Sequence, residues 1–242
     1  MKKLLNNLTI VTITFNNEEE LITTLESCSV LRELGCSQIV QNGGYSVNLK
    51  NYSNLNLIEE PDKGIFDALQ KGMHRVKTKY FINIHSGDKF IGNIEEVYQI
   101  LSEMEEHELD LSLNDQLIPF GKLTDSRVHS SQAWRPFMLN IGVQPPHMPT
   151  IFNLNFVKDV LYRSNEKVIG DFFQYVDLFK KHPKWKAHGR LLVKMAPGGN
   201  TTRGIKSYFY VTRQFINSYG LLRGSLIAIF RVPFKFLQMI RV

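Results

Sequence analysis

Residues 59–73 read EEPDKGIFDALQKGM, and residues 81–88 read FINIHSGD. The first stretch is a Pro-Asp-Lys-Gly corner that opens into apolar residues at helical spacing: Ile65, Phe66, Leu69, Met73 and Val76 fall on one face. Asp62 can cap the first turn of that helix. The second stretch is a run of bulky β-formers that stops on Ser-Gly-Asp. Working outward, LTIVTITF (8–15), SQIVQNGG (37–44), NLNLIEE (54–60) and KYFINI (79–84) read as four strands. Between them, the apolar spacing predicts a helix from Glu18 to Leu34. A further helix is expected from Ile94 to Glu106. LDLSL (109–113) and QLIPFGK (116–122) then read as a hairpin. Strands separated by helices of this length imply βαβ units, so the expected class is α/β with a mostly parallel central sheet.

In such a sheet, ligands bind beyond the carboxyl ends of the strands. Those ends here are Phe15-Asn16-Asn17, Asn42-Gly43-Gly44, Glu60-Pro61-Asp62 and His85-Ser86-Gly87-Asp88. Polar and glycine residues therefore collect along one rim, which is the candidate site.

At 242 residues and 43% hydrophobic, the chain can bury a substantial core. The opening MKKLLNNLTIVTITF has a signal-like start, but Thr9, Thr12 and Thr14 interrupt its apolar run and no small-residue cleavage site follows. It reads as a buried first strand, and the expected location is cytoplasmic. Cys28 and Cys36 lack Cys-x-x-Cys spacing and are expected to be reduced, buried thiols. The net charge of +6 is unevenly placed: from Leu178 onward there are thirteen Lys or Arg and no Asp or Glu, while the first 177 residues carry a balance of −7. A basic block of this kind points to nucleic acid or an anionic membrane face. The tail YFYVTRQFINSYGLLRGSLIAIFRVPFKFLQMIRV mixes aliphatic and aromatic residues with its cations. Its longest uncharged apolar run is far short of the roughly 20 residues needed to cross a bilayer. It reads as a basic amphipathic segment, 206–242, lying in a membrane interface; a helix pair packed on the domain with its basic side in water is the other reading.

TIVTITFNNEEELITTLES (9–27), EEPDKGIFDALQKG (59–72), YFINIHSGD (80–88), HMPTIF (147–152) and IGDFFQYVDLF (169–179) resemble, in order and spacing, the landmarks of family 2 glycosyltransferases. These are bacterial GT-A enzymes that move a sugar from a nucleotide donor. The family's texts run close to S-E-P-D-x-G-I-Y-D-A-M-N-K-G, N-S-G-D, H-Q-x-x-F-F and S-D-Y-x-L. The likeness covers about residues 8 to 203, and the first two landmarks are the specific ones. It implies a GT-A domain over 1–205.

The resemblance further implies that Asp88 holds Mn²⁺ or Mg²⁺ against the donor diphosphate, a cation that prefers oxygen ligands and keeps waters; a simple turn aspartate is the alternative. Thr14, Asn16, Asn42, Asp62, Lys63, Asp67, Ser86 and Gly87 are the implied nucleotide-sugar contacts. Asp62 is alternatively a helix cap. Asn42 stands where the family has Asp; its amide oxygen can accept from a base N–H and its NH₂ adds a donor. UDP is the implied nucleotide. His85 replaces the family's Asn. Asp171 is the implied catalytic base for an inverting transfer, taking the proton of the attacking acceptor hydroxyl, or else a helix cap. His147 and Trp134 fall on the acceptor side, where a structural His147 is the alternative. PGGNTTRG (197–204) offers a loop with Arg203 to close over the diphosphate.

The implied function is transfer from a nucleotide sugar to a lipid-linked saccharide in O-antigen, capsule or exopolysaccharide synthesis, at the inner face of the bacterial inner membrane. An inactive scaffold of the same fold is the runner-up. Nucleic-acid binding is disfavoured, because the tail's aliphatic residues suit lipid and its aromatics follow no RNA-binding motif. There is no P-loop, G-x-G-x-x-G, G-x-S-x-G or zinc-type Cys/His cluster.

Overall fold

The computed structural model describes residues 2–120, 125–163, 168–197 and 204–240. In chain order they form helix α1 (Lys2–Leu5), strand β1 (Leu8–Thr14), helices α2 (Glu18–Ser27) and α3 (Ser29–Glu33), and strands β2 (Ser37–Asn42) and β3 (Leu55–Glu59). Helix α4 (Ile65–His74), strands β4 (Tyr80–Asn83) and β5 (Lys89–Phe90) and helix α5 (Ile94–Glu106) follow. Strands β6 (Leu111–Phe120), β7 (Asp125–His129) and β8 (Ile151–Asn153) lead to helices α6 (Leu154–Val157) and α7 (Gly170–Lys180). Strand β9 (Trp185–Lys194) and helices α8 (Gly204–Tyr219) and α9 (Leu221–Ile240) complete the order.

The strands make one sheet in the order β3-β2-β1-β4-β8-β6-β9-β5, with β7 paired to β6. β3, β2, β1 and β4 are mutually parallel, and β6 and β9 share their direction; β8, β5 and β7 run the other way. The mostly parallel α/β sheet expected from the sequence is therefore present. Alternation along each strand feeds two cores. On β1 and β4, Val11 and Phe81 enter one with Phe152, Phe172 and Phe173, while Ile10 and Ile82 enter the other with Leu5, Ile100 and Met104. β1 is buried along its whole length, and its threonines are satisfied within the sheet: Thr9 Oγ1 bonds Ser37 Oγ at 2.7 Å, and Gln38 Nε2 donates to Thr12 Oγ1 at 2.8 Å. Cys28 and Cys36 are free and fully buried, as expected, and burial pushes their thiols up to about 11 and about 12.

Three local expectations are corrected. The helix expected over 18–34 breaks at Cys28, because Ser27 Oγ bonds the Thr24 carbonyl at 2.8 Å while accepting the Phe90 N–H at 3.0 Å, tying the helix end to β5. LDLSL and QLIPFGK do not face each other. They lie on one strand, β6, whose hairpin partner is β7. The turn-forming pair Asn114-Asp115 is buried in that strand: Asn114 Nδ2 donates to Pro149 O at 3.1 Å, and Asp115 Oδ1 accepts from Ser131 N and Oγ at 2.7 and 2.8 Å. At α4 the cap residue is Gly64, not Asp62. The tail forms two helices, and α8 and α9 send Val211, Phe215 and Ile227 into the same core as Phe172 and Phe173.

Candidate active site

Parallel pairing brings the carboxyl ends of β1, β2, β3 and β4 to a single rim. Beyond β4, Ile84 N–H and Ser86 N–H still bond Val11 O and Ile13 O, so the His85–Asp88 turn stays beside the end of β1. Thr14 Oγ1 donates to Asn17 Oδ1 at 2.5 Å, and the same oxygen receives Ser86 Oγ at 3.1 Å. Two implied contact residues are thus joined through Asn17. Asn16 takes the left-handed conformation (φ 54°) and accepts the Tyr45 N–H at 2.8 Å.

The double glycine after β2 explains how Asn16 and Asp62 approach it. A Cβ on Gly43 would stand 1.7 Å from Asp62 Oδ2, and one on Gly44 would stand 2.3 Å from Asn16 Oδ1. Asp62 Oδ1 in turn accepts the Gly64 N–H at 2.8 Å, and Lys63 N–H donates to Asp67 Oδ2 at 2.9 Å. Lys71 pairs with Asp67 at 3.3 Å and with Glu60 at 3.1 Å. The Lys63 N–H foremost, with Lys71, holds the Asp67 carboxyl below its ordinary range. Asp67 therefore buttresses the corner. Asn42 is enclosed in its own turn, with Nδ2 donating to Tyr45 O at 2.8 Å and Oδ1 accepting from Gly44 N at 2.9 Å.

Asp88 is 5% exposed, and Thr24 Oγ1 ties its carbonyl to α2 at 2.8 Å. Its Oδ1 accepts the Ala196 N–H at 2.8 Å. Burial, helped by the charge of Glu20, pushes the carboxyl up to about 7. Gly87 between them (φ 92°) brings Glu20 near: a Cβ there would lie 3.6 Å from Glu20 Oε2. A second carboxylate whose charge raises the proton affinity of Asp88 suits a cation shared between the two. Among the described residues no group of three His, Cys, Asp or Glu side chains gathers as a metal cage. One or two carboxylates suffice for a hard divalent ion that completes its shell with water and phosphate oxygens, so this pair fits.

Across the rim, Asp171 lies in the first turn of α7, which starts at Gly170 with Ile169 as the cap residue. Asp171 Oδ2 accepts from Gln144 Nε2 at 2.6 Å and Oδ1 from Phe172 N at 2.9 Å. His147 is 6% exposed, with Nε2 3.3 Å from the Tyr162 hydroxyl. Trp134 is corrected: it is 2% exposed, packs against Phe179 and Trp185, and donates its Nε1–H to Val143 O at 3.0 Å. No ring face is left for an acceptor. Arg203 and its glycine loop lie outside the described residues.

Several residues escaped the sequence reading. Phe15 is named among the strand ends of the rim without a role, and the structure leaves it 61% exposed. Tyr45, 51% exposed, joins Asn16, Asn17, Glu18, Glu19 and Glu20 around a depression of about 450 Å³. Glu20 lies in the first quoted landmark without a role assigned to it, and Gln144 and Tyr162 belong to no quoted landmark.

No family model and no curated protein sequence matches the chain. Solved structures do. Residues 1–349 of S. aureus TarS in complex with UDP-GlcNAc align at 12% identity over 92% of this chain and 71% of that one, with a TM-score of 0.61. The complex of the same TarS piece with UDP gives 13% identity, 92% and 70% coverage and 0.59. The mannosyltransferase PcManGT from Pyrobaculum calidifontis, in complex with GDP-Man and Mn²⁺, gives 10% identity, 97% and 73% coverage and 0.62. A sheet of this order, with its polar rim at the strand ends and a likeness that spans nearly the whole chain, gives this protein a GT-A-type glycosyltransferase fold.

Proposed function

We propose that the protein is an inverting glycosyltransferase that takes a sugar from a nucleotide diphosphate, with UDP as the nucleotide and a lipid-linked saccharide as acceptor. The observation that carries this reading is the meeting, on one rim, of the Asp88–Glu20 carboxylates, the Asp62 corner and the Thr14–Asn17–Ser86 cluster, with Asp171 opposite. Phe15 and Tyr45 offer exposed rings on which a base can stack, and Asn16 and Asp62 stand beside them to fix its orientation. Asp88 with Glu20 would hold the divalent cation, which when bound neutralises charge on the departing diphosphate. Asp171 accepts the proton of the acceptor hydroxyl, and Gln144 holds the carboxylate in place for this. The burial of Asp88 and of His147 keeps bulk water from the floor of the site, which favours transfer over hydrolysis.

The acceptor and location rest on the tail. Basic throughout, it exposes Leu221, Leu222, Leu226, Ile229 and Phe230, which suits an anionic membrane surface such as the inner face of a bacterial inner membrane. No helix among the described residues is long and apolar enough to cross a membrane. Surface polysaccharide synthesis (O-antigen, capsule or exopolysaccharide) is the setting that combines such an acceptor with such a face.

The test is a thermal-shift and turnover assay with UDP-GlcNAc, UDP-glucose and GDP-mannose, each with and without Mn²⁺. Wild type should be stabilised by a nucleotide only with the cation and should release nucleoside diphosphate slowly. Asp88→Ala should lose both effects. Full turnover in that variant would end the metal assignment, and binding without turnover under every condition would leave the inactive scaffold as the better reading.

A further inference from the structure

Asn17 occupies the cap position of α2, and Glu20 stands three residues later. At that spacing a cap side chain ordinarily bonds the N–H of the third helical residue, and a glutamate there reaches back to the N–H of the cap. The structure forgoes this: the Asn17 side chain makes no capping bond. Its amide is engaged elsewhere. Nδ2 donates to Glu20 Oε2 at 2.6 Å, while Oδ1 accepts from Thr14 Oγ1 at 2.5 Å and from Ser86 Oγ at 3.1 Å. One side chain thus joins the end of β1, the first turn of α2 and the turn that carries Asp88.

The orientation of the amide is fixed by its partners. A carboxylate only accepts, so the NH₂ group faces Glu20 and the oxygen faces the two hydroxyls. Thr14 and Ser86 each give their one proton to Asn17 and keep only lone pairs for a ligand. Backbone bonds place Glu20 beside the Asp88 turn: Gly87 N–H meets Glu20 O at 3.1 Å and Thr24 Oγ1 at 2.9 Å, and the same Thr24 oxygen reaches Asp88 O at 2.8 Å. These bonds do not aim the Glu20 side chain, which is exposed. The hydrogen bond that aims it is the one from Asn17. Gly87 leaves the space it needs, since a Cβ there would stand 3.6 Å from Glu20 Oε2 and 3.7 Å from Glu20 Cβ. Asn17 and Glu20 both line the depression of about 450 Å³, so a ligand can reach them.

We infer that Asn17 is a positioning residue for the divalent cation: it holds the Glu20 carboxylate beside Asp88 and leaves the Thr14 and Ser86 hydroxyls as acceptors for the cation's water shell. The inference rests on the proposed transferase reading, which puts a cation at Asp88. A hard divalent ion that keeps its waters needs anionic oxygens close in and acceptors around them, and groups that offer only acceptors supply both.

The test is Asn17→Ser in the full chain. Serine with Glu20 makes the capping-box pair, which draws the glutamate back to the helix backbone, and serine is too short to reach Thr14, Ser86 and Glu20 together. The melting temperature without metal should therefore equal or exceed that of wild type. Mn²⁺ affinity, read from the loss of the free Mn²⁺ electron paramagnetic resonance signal with and without UDP, should fall about tenfold. Glu20→Ala should lose as much, and adding Asn17→Ser to it should cost nothing more, because Asn17 acts through Glu20. A purely structural Asn17 would lower the melting temperature and leave Mn²⁺ affinity alone. Wild-type Mn²⁺ affinity in Asn17→Ser or in Glu20→Ala, or losses that multiply in the double variant, would overturn the inference while the cation at Asp88 stands. If wild type takes up no Mn²⁺ with or without UDP, the metal-dependent transferase reading falls, and the role of Asn17 with it.

Discussion

His129, at the end of β7, lies between Arg127 and Asp115 and sits 3.4 Å from Gln116 Nε2. Burial foremost, then the Arg127 charge, pushes its imidazole from 6.5 down to about 4, against smaller opposing effects from Asp115 and the Gln144 backbone. The unfolded chain therefore binds a proton that the folded chain refuses between those two values. The contribution of this group is fully present well above pH 6.5 and is lost as the pH drops toward 4. Between about pH 7 and pH 5 this one group should remove about 2 kcal/mol. Urea unfolding of wild type and His129→Gln at both pH values measures it: the variant should lose less stability on acidification, and equal losses would refute the assignment. At this scale the sequence was partly legible. Asp62 and Asp88 stand at predicted strand ends and Asp171 at a helix start, but the roles of Asp88 and Asp171 came from the family resemblance and not from those positions. Trp134 could not be placed, since an aromatic residue next to an arginine reads the same whether it faces a ligand or, as here, two other rings. Asn42 reads as a ligand contact, and nothing in the sequence showed that one N–H and one lone pair of its amide go to its own turn.

The elements meet tightly where α7 begins. A Cβ on Gly170 would stand 2.6–2.8 Å from three ring carbons of Phe66, so the start of α7 is pressed against the first turn of α4. This contact joins the helix that carries Asp171 to the one that follows the Asp62 corner. Gly170→Ala must push the ring or the helix aside, at a cost of about 1–3 kcal/mol. Denaturant unfolding should show that loss, and turnover should fall further than stability alone explains, because Asp171 moves with its helix; unchanged stability would mean the ring yields freely. Long periodic elements were readable: the helix expected from Ile94 to Glu106 has those bounds. The misread elements share a cause. Asn114-Asp115 and Ser27-Cys28 carry residues whose local preference is decided by distant partners, Pro149 and Ser131 for the first pair and Phe90 for the second. No window of neighbouring residues contains that information.

Across the whole molecule, charge and apolar exposure converge on the same end. Every Asp and Glu precedes Leu178, and the exposed apolar residues of α8 and α9 include Leu221 at 74% and Leu222 at 83%, just past the Gly220 turn. Phe215 and Ile227 anchor the same helices in the core, so deleting the tail would strip apolar surface from Phe172 and Phe173 and confuse unfolding with detachment. Point changes at the turn avoid this. The double variant Leu221→Ser, Leu222→Ser alters only side chains already in water, so its melting temperature should match wild type. Burial of a leucine in lipid is worth about 1.5–3 kcal/mol, so binding to vesicles of 3:1 phosphatidylcholine and phosphatidylglycerol should weaken by at least about tenfold. Raising the salt should weaken wild type as well, since the surrounding Arg and Lys act through screened charge. Sedimentation with vesicles reads both effects. If the double variant sediments like wild type at low and high salt, this end of the molecule faces water, and the acceptor need not be attached to lipid.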